Sequence, residues 1–298
     1  MTIPTNPTLV SITTEALNMA GYANPTAVQL TRAALWIEEI KNDIWNKALI
    51  NGDTRLKTLQ TSNIQISVDN QSAYAMPSDF DEEILVELLD GAHTGTAQSG
   101  AATSITLASD EDITEAEILG SGILITGDTG KGGFRQAISY NTTSKVVGIN
   151  SAWATNPDST SEYLIVNKYY KLGERNITEM TEDRVSPGRP YYFHKVNDGE
   201  TTNIYFERPC DKATYGIRVR YYANMQHVDL DTSTSAVIGL IYKNWKSVLT
   251  QGVLYKVLKD VNDQRYIVER DIFNNLLDQL IIREIPYGGE FTGFQVGK

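Results

Sequence analysis

Residues 127–133, Gly127-Asp128-Thr129-Gly130-Lys131-Gly132-Gly133, combine four glycines with a lysine, the composition of loops that cradle phosphate. A phosphate loop needs a first glycine, four residues, then Gly-Lys and Ser or Thr opening a helix, because the helix N-terminus binds the anion. Here that first glycine is missing and the residues that follow read as a strand, so a glycine-rich hairpin turn is expected. The stretch Asp110 to Glu117 has acidity enough for calcium but lacks the glycine and glutamate of an EF-hand loop, and is expected to be a solvated acidic loop. Asp79, Asp81, Glu82 and Glu83 offer paired carboxylates for acid and base work, yet a charge run straddling a turn is ordinarily an exposed one. His93, His194 and His227 share no metal-ligand spacing, and nothing in their surroundings assigns them a catalytic part. Cys210 is the only cysteine, which excludes an internal disulfide and a thiolate-rich zinc site, and it reads as a small buried side chain. No enzyme, cofactor or metal is expected from these residues.

The 16 tyrosines are more informative. The pairs Tyr169-Tyr170, Tyr191-Tyr192 and Tyr221-Tyr222 place one ring on each side of any strand they occupy, so one ring can pack inward while the other meets a neighbour. Tyrosine buries area with little loss of entropy and is enriched at interfaces, although sheet propensity alone also favours it. Tyr191, Tyr192, Tyr221 and Tyr222 are accordingly expected at contacts between subunits.

The net charge of −11 opposes a protein that grips nucleic acid, which neutralises phosphates with clustered Lys and Arg. Residues 1–90 carry 5 basic and 12 acidic side chains, residues 91–167 carry 3 and 8, and residues 168–298 carry 18 and 17. The longest stretch free of strongly polar residues, Ala236 to Tyr242, is far below the ~20 needed to span a bilayer, so no membrane segment is expected. The first seven residues have neither a basic nor an apolar signal region, and synthesis and use in a cytoplasm are expected.

Periodicity places the elements. Leu9, Ile12, Ala16, Leu17 and Met19 lie on one face of a helix stopped by Gly21. Asn24 is expected to cap a second, with Pro25 first inside it and Leu30, Ala34, Ile37, Ile40 or Lys41, Ile44 and Ala48 on its apolar face. Ile64, Ile66 and Val68 alternate as in a strand, and the turn from Tyr74 to Phe80 leads into the run Ile84 to Leu89, giving a two-stranded unit that closes at Asp90-Gly91. Residues 92–166 are rich in Gly, Ser, Thr and Ala, with candidate strands at 104–107, 122–126, 134–140, 146–150 and 163–166: an inserted all-β module. Strands at 191–195, 203–207 and 215–222 follow, the first two joined by an Asn197-Asp198-Gly199 turn. Helices at 235–259 and 263–283 come next, the second with Ile267, Phe273, Leu276, Leu277 and Leu280 on its face. The expected class is α+β, with terminal helices bundled over a small antiparallel sheet. Its domains are a core of residues 1–91 with 167–283, the module, and an extended tail of residues 284–298. Replacing the module by a short linker is expected to leave a soluble helical remainder. In the tail, Ile285, Tyr287, Phe291, Phe294 and Val296 are too many apolar side chains to leave in water, while four glycines prevent a helix, so docking on a partner is expected.

This layout resembles the head-to-tail adaptor, or connector, proteins of tailed bacteriophages. Three parts carry the likeness: the short helix ending Ala16-Leu17-Asn18-Met19-Ala20-Gly21 with the long helix through Trp36, Ile40 and Ile44-Trp45; the Tyr-x-x-Pro-x-Asp turn from Tyr74, with Arg208-Pro209-Cys210-Asp211 leading into the strand from Tyr215; and the paired C-terminal helices. The module in turn resembles a β module that recurs in phage virion proteins, through Leu119-Gly120, Gly127 to Gly130, Ile138-Ser139-Tyr140-Asn141, Lys145, Trp153, Pro157-Asp158 and Ser161-Glu162-Tyr163. The resemblance implies a ring, commonly of twelve subunits, at the neck of the virion. There it docks beneath the portal protein and extends the DNA channel to the tail, with the C-terminal extension reaching the portal. An acidic wall repels phosphate and lets DNA slide without sequence-specific binding. A tail-tube or nozzle protein is the expected neighbour below. Two other readings compete: a tail-tube or nozzle subunit, and a carbohydrate- or receptor-binding protein built on the module and Trp153.

Overall fold

The computed structural model describes residues 9–50, 56–176, 186–197, 201–223 and 245–284. The protein is α+β: helices from the two ends of the chain pack together, and three sheets lie between them in sequence. It divides into two compact units, one made of the residues up to Gln60 with those from Tyr222 onward, the other of Thr61–Tyr221. The tail residues Ile285, Tyr287, Phe291, Phe294 and Val296, and the first part of the helix expected from residue 235, lie outside the described residues.

The helical unit contains α1 (Leu9–Met19), α2 (Ala27–Ile50), α4 (Lys246–Asp260) and α5 (Tyr266–Glu284). Helix α4 packs against α1, α2 and α5. The end of α1 follows from Gly21, whose φ of +102° only glycine adopts freely. Its N–H donates to the Asn18 carbonyl and that of Tyr22 to Leu17, the paired bonds of a Schellman stop. The start of α2 corrects the expected cap. Thr26 rather than Asn24 begins it: the Gln29 N–H donates to Thr26 Oγ1 while the Thr26 N–H donates to Gln29 Oε1 at 2.8 Å, a reciprocal capping box. Ala33, Ala34, Ile37, Ile40, Lys41, Ile44 and Ala48 bury one stripe of α2 against Trp245, Leu249, Val253, Phe273, Leu277 and Leu280. Both alternatives at positions 40 and 41 are inside, with Lys41 Nζ held 3.2 Å from the Glu38 carboxylate. Met19 and Ile267, assigned to apolar faces, are exposed, and Ile281 takes the inward place in α5.

The second unit holds the strands. One sheet has the order β1 (Gln60–Ile66), β15 (Gly216–Ala223), β3 (Phe80–Asp90), β11 (Lys168–Lys171). The expected β1–β3 unit is thereby corrected: β15, distant in sequence, sits between them. A second sheet, β12 (Gly173–Glu174), β13 (Tyr192–Asn197), β14 (Thr202–Phe206), β2 (Ala73–Ala75), is mixed, because β12 runs parallel to β13. Strands β13 and β14 pair antiparallel with Asn197 opposite Thr202; Asp198 and Gly199 of the expected turn lie outside the described residues.

Seven strands between His93 and Val166 form the third sheet: β4 (His93–Thr96), β10 (Glu162–Val166), β7 (Gly122–Gly127), β8 (Phe134–Asn141), β9 (Val146–Ile149), β6 (Ser104–Thr106) and β5 (Ser99–Ala101), in that spatial order. Alternation divides the side chains of β7 and β10 between two cores. Ile123, Ile125, Tyr163 and Ile165 face an interior with Ile105, Leu107, Val147 and Trp153. Their neighbours Leu124, Leu164 and Val166 pack with Leu89 of β3 and Ile66 of β1. The module is therefore sealed onto the four-stranded sheet, and Gly216 of β15 allows that approach, since a β carbon there would lie 2.6 Å from Leu124.

Candidate interaction surface

The residues marked by the sequence as chemically suggestive are largely committed to structure. The glycine loop is the turn between β7 and β8. Asp128, Gly130 and Gly132 have positive φ, and the N–H groups of Lys131, Gly132 and Gly133 donate to Asp128, Ile125 and Gly130 carbonyls. Those donors close a hairpin and do not converge on an anion. The acidic stretch ends in a short helix, α3 (Glu115–Ile118), because Thr114 and Glu117 form a capping box; this corrects the expected loop. Of the acidic run, Asp79 accepts the Tyr221 hydroxyl at 2.9 Å and Glu83 pairs with Lys195 at 2.7 Å. Tyr74 and Cys210, from two motifs far apart in sequence, meet in the interior: the Tyr74 hydroxyl lies 3.6 Å from Cys210 Sγ and donates to the Gln71 carbonyl at 3.2 Å. Burial pushes the Cys210 thiol up to about 11, which leaves little of the nucleophilic thiolate near neutral pH.

The tyrosines separate into two sets. Tyr221 and Tyr222 are only 4% and 8% exposed. Tyr221 packs on Phe80 and is tied to Asp79, and Tyr222 accepts the Gln60 amide at 3.0 Å. Both rings, expected at a subunit contact, are thus packed within the chain on the inner strand β15. Tyr191 is 50% exposed and Tyr192 half-buried, and both stand in a group that sequence spacing did not connect.

That group is built on strand β11, Lys168-Tyr169-Tyr170-Lys171. It pairs with β3 on one side, Tyr169 opposite Leu89, and no strand pairs with its other side among the described residues. Tyr169 is 47% exposed. The Arg189 guanidinium lies 3.9 Å from the Tyr170 ring and 4.6 Å from the Tyr191 ring, and donates to the Tyr191 hydroxyl at 2.8 Å. Arg175 stacks 3.4 Å over Tyr192, which in turn lies on Gly173, where a β carbon would come within 3.0 Å of the ring. Buried Glu207 fixes the backbone beneath by accepting the N–H groups of Tyr191 and Tyr192, each at 2.7 Å. The result is a preorganised surface of tyrosine rings and arginines beside an open strand edge. Tyr and Arg are the side chains that carry most energy at protein contacts, and an unpaired edge offers main-chain donors and acceptors to another chain.

Among the described residues, one group of donors is close enough to share a metal ion: His93, Glu111 and Asp112. No described helix is long and apolar enough to cross a membrane. No family model matches the sequence, and a search of curated proteins finds no match.

Proposed function

We propose that the protein is a structural virion component, a head-to-tail adaptor that assembles as a ring, a dodecamer by the family resemblance, beneath a portal and continues its DNA channel. The single observation that carries this reading is the tyrosine–arginine surface on the open β11 edge. It is cationic, with Lys168, Lys171, Arg175 and Arg189, on a chain whose net charge is −11. A closed ring requires two different complementary faces on each subunit, and a basic face on an acidic chain finds its complement on another copy. The paired terminal helices supply a rigid body of the kind the resembling family uses. The acidic total suits a channel wall that repels the phosphate backbone. The carbohydrate-binding alternative loses its anchor, because Trp153 is buried in the module with Arg135 over its ring. Native mass spectrometry of the protein mixed with portal complexes tests the proposal. A discrete multiple of the chain on each portal is expected, and its loss on Tyr191→Asp with Arg189→Glu. A portal that takes up no chain overturns the adaptor role.

A further inference from the structure

We infer that His93, Glu111 and Asp112 form a binding site for a divalent transition-metal ion, with Zn2+ the best match. His93 opens β4, and Glu111 and Asp112 precede α3; β10 pairs with β4, and its Tyr163 hydroxyl holds Glu111 beside His93. His93 Nδ1 lies 2.8 Å from Glu111 Oε1 and 3.7 Å from Asp112 Oδ1, and all three donor atoms fall within 4.8 Å of one another. Metal–ligand bonds of about 2.0–2.2 Å in tetrahedral geometry separate neighbouring donors by about 3.4 Å. The observed distances bracket that value, so small side-chain rotations suffice. The imidazole selects against Ca2+ and Mg2+, which take oxygen ligands, and a set of one imidazole and two carboxylates leaves a fourth position for water.

The surroundings are built as an outer shell. Glu111 is buried, and its second oxygen, Oε2, accepts the Tyr163 hydroxyl at 2.8 Å, which holds Oε1 toward His93. Tyr163 reaches that point because Gly95 stands opposite it in the β4–β10 register, where a β carbon would lie 2.7 Å from the hydroxyl. Lys145 Nζ donates to the Glu111 carbonyl at 2.6 Å and pins the loop from the other side. Asp112, with a side chain 92% exposed, is free to swing onto an ion, and the site opens into a pocket of about 520 Å³ lined by Thr94, Thr96 and Asp110. A bound ion would clamp the loop before α3 onto strand β4.

Isothermal titration of the full chain, dialysed against chelator, with Zn2+ and separately with Ca2+ tests the site. One Zn2+ per chain is expected, with Ca2+ silent. Asp112→Asn and His93→Gln should each weaken Zn2+ binding at least tenfold, and Co2+ should give the intense visible absorption of a tetrahedral ion. Asp112 is exposed and makes no buried contact, so its variant carries the test even where His93→Gln fails to fold. Absence of Zn2+ binding, undiminished binding by Asp112→Asn, or binding of Ca2+ in preference would each overturn the inference.

Discussion

The helical core and the β unit use burial in different ways. Helix α2 hides one stripe and leaves Val28, Leu35, Leu49 and Ile50 outside, so removing a neighbour uncovers a single face. Strands β7 and β10 have no outer face: Leu124 and Leu164 point to one core while Ile123, Ile125 and Ile165 point to the other. One-sided burial makes the helices a self-contained bundle. Two-sided burial makes the module an integral layer of its unit, joined to β3 and β1 through Leu89 and Ile66. The surface proposed for assembly lies on this second unit, where β11 extends the sheet that the module covers.

Replacing residues 92–166 by a short linker separates the two regions most forcefully. The helical core contains no residue of the module, so helical circular dichroism should persist. The β unit should lose its cooperative unfolding transition, because Leu89 and Ile66 are stripped of their cover. A remainder whose sheet still unfolds cooperatively would show that the module is separable after all. Single truncations sharpen the same contrast. Trp245→Ala, at a fully buried position, should destabilise the helical unit by about 3–5 kcal/mol, and Leu164→Ala the β unit by about 2–5 kcal/mol. In denaturant melts followed at a helical and at an aromatic signal, each should shift mainly its own unit's transition.

Thr26→Ala should cost the helical unit about 1 kcal/mol and Asn24→Ala much less, which distinguishes the two candidate caps. An effect confined to alkaline pH concerns Cys210, whose thiol burial raises from its ordinary 9 to about 11. Between those values the folded chain keeps a proton that the unfolded chain has lost. This contribution is therefore complete below pH 9 and fades as pH rises toward 11. Cys210→Ala should flatten that part of the stability profile, and the native thiol should resist alkylation at pH 8 while the chain in urea reacts.

Periodicity made legible what is local. The apolar stripe of α2 and the stop at Gly21 follow from spacing alone, and five of the module's strands fall close to where alternation and glycine turns place them. Pairing across long separations was not legible. Nothing near Ile64 or Ile84 announces that β15 will slot between them, and the inward fate of Tyr221 and Tyr222 follows from that position. Strand β11 is too short for alternation to mark, and its significance arises only when Arg189, about twenty residues on, stacks between Tyr170 and Tyr191. His93 and Glu111 likewise have no shared spacing; Tyr163 of β10, the partner of β4, holds them side by side. The Thr26-to-Gln29 capping box was readable in principle, but the Asn24-Pro25 pair is an equally regular helix opening.

Cryo-electron microscopy of the protein bound to portal complexes tests the central claim most directly. The account predicts a closed ring with head-to-tail contacts, in which Tyr169, Tyr191 and Arg189 of each subunit are covered by the next. A two-fold dimer, or a ring in which that surface faces solvent, would contradict it.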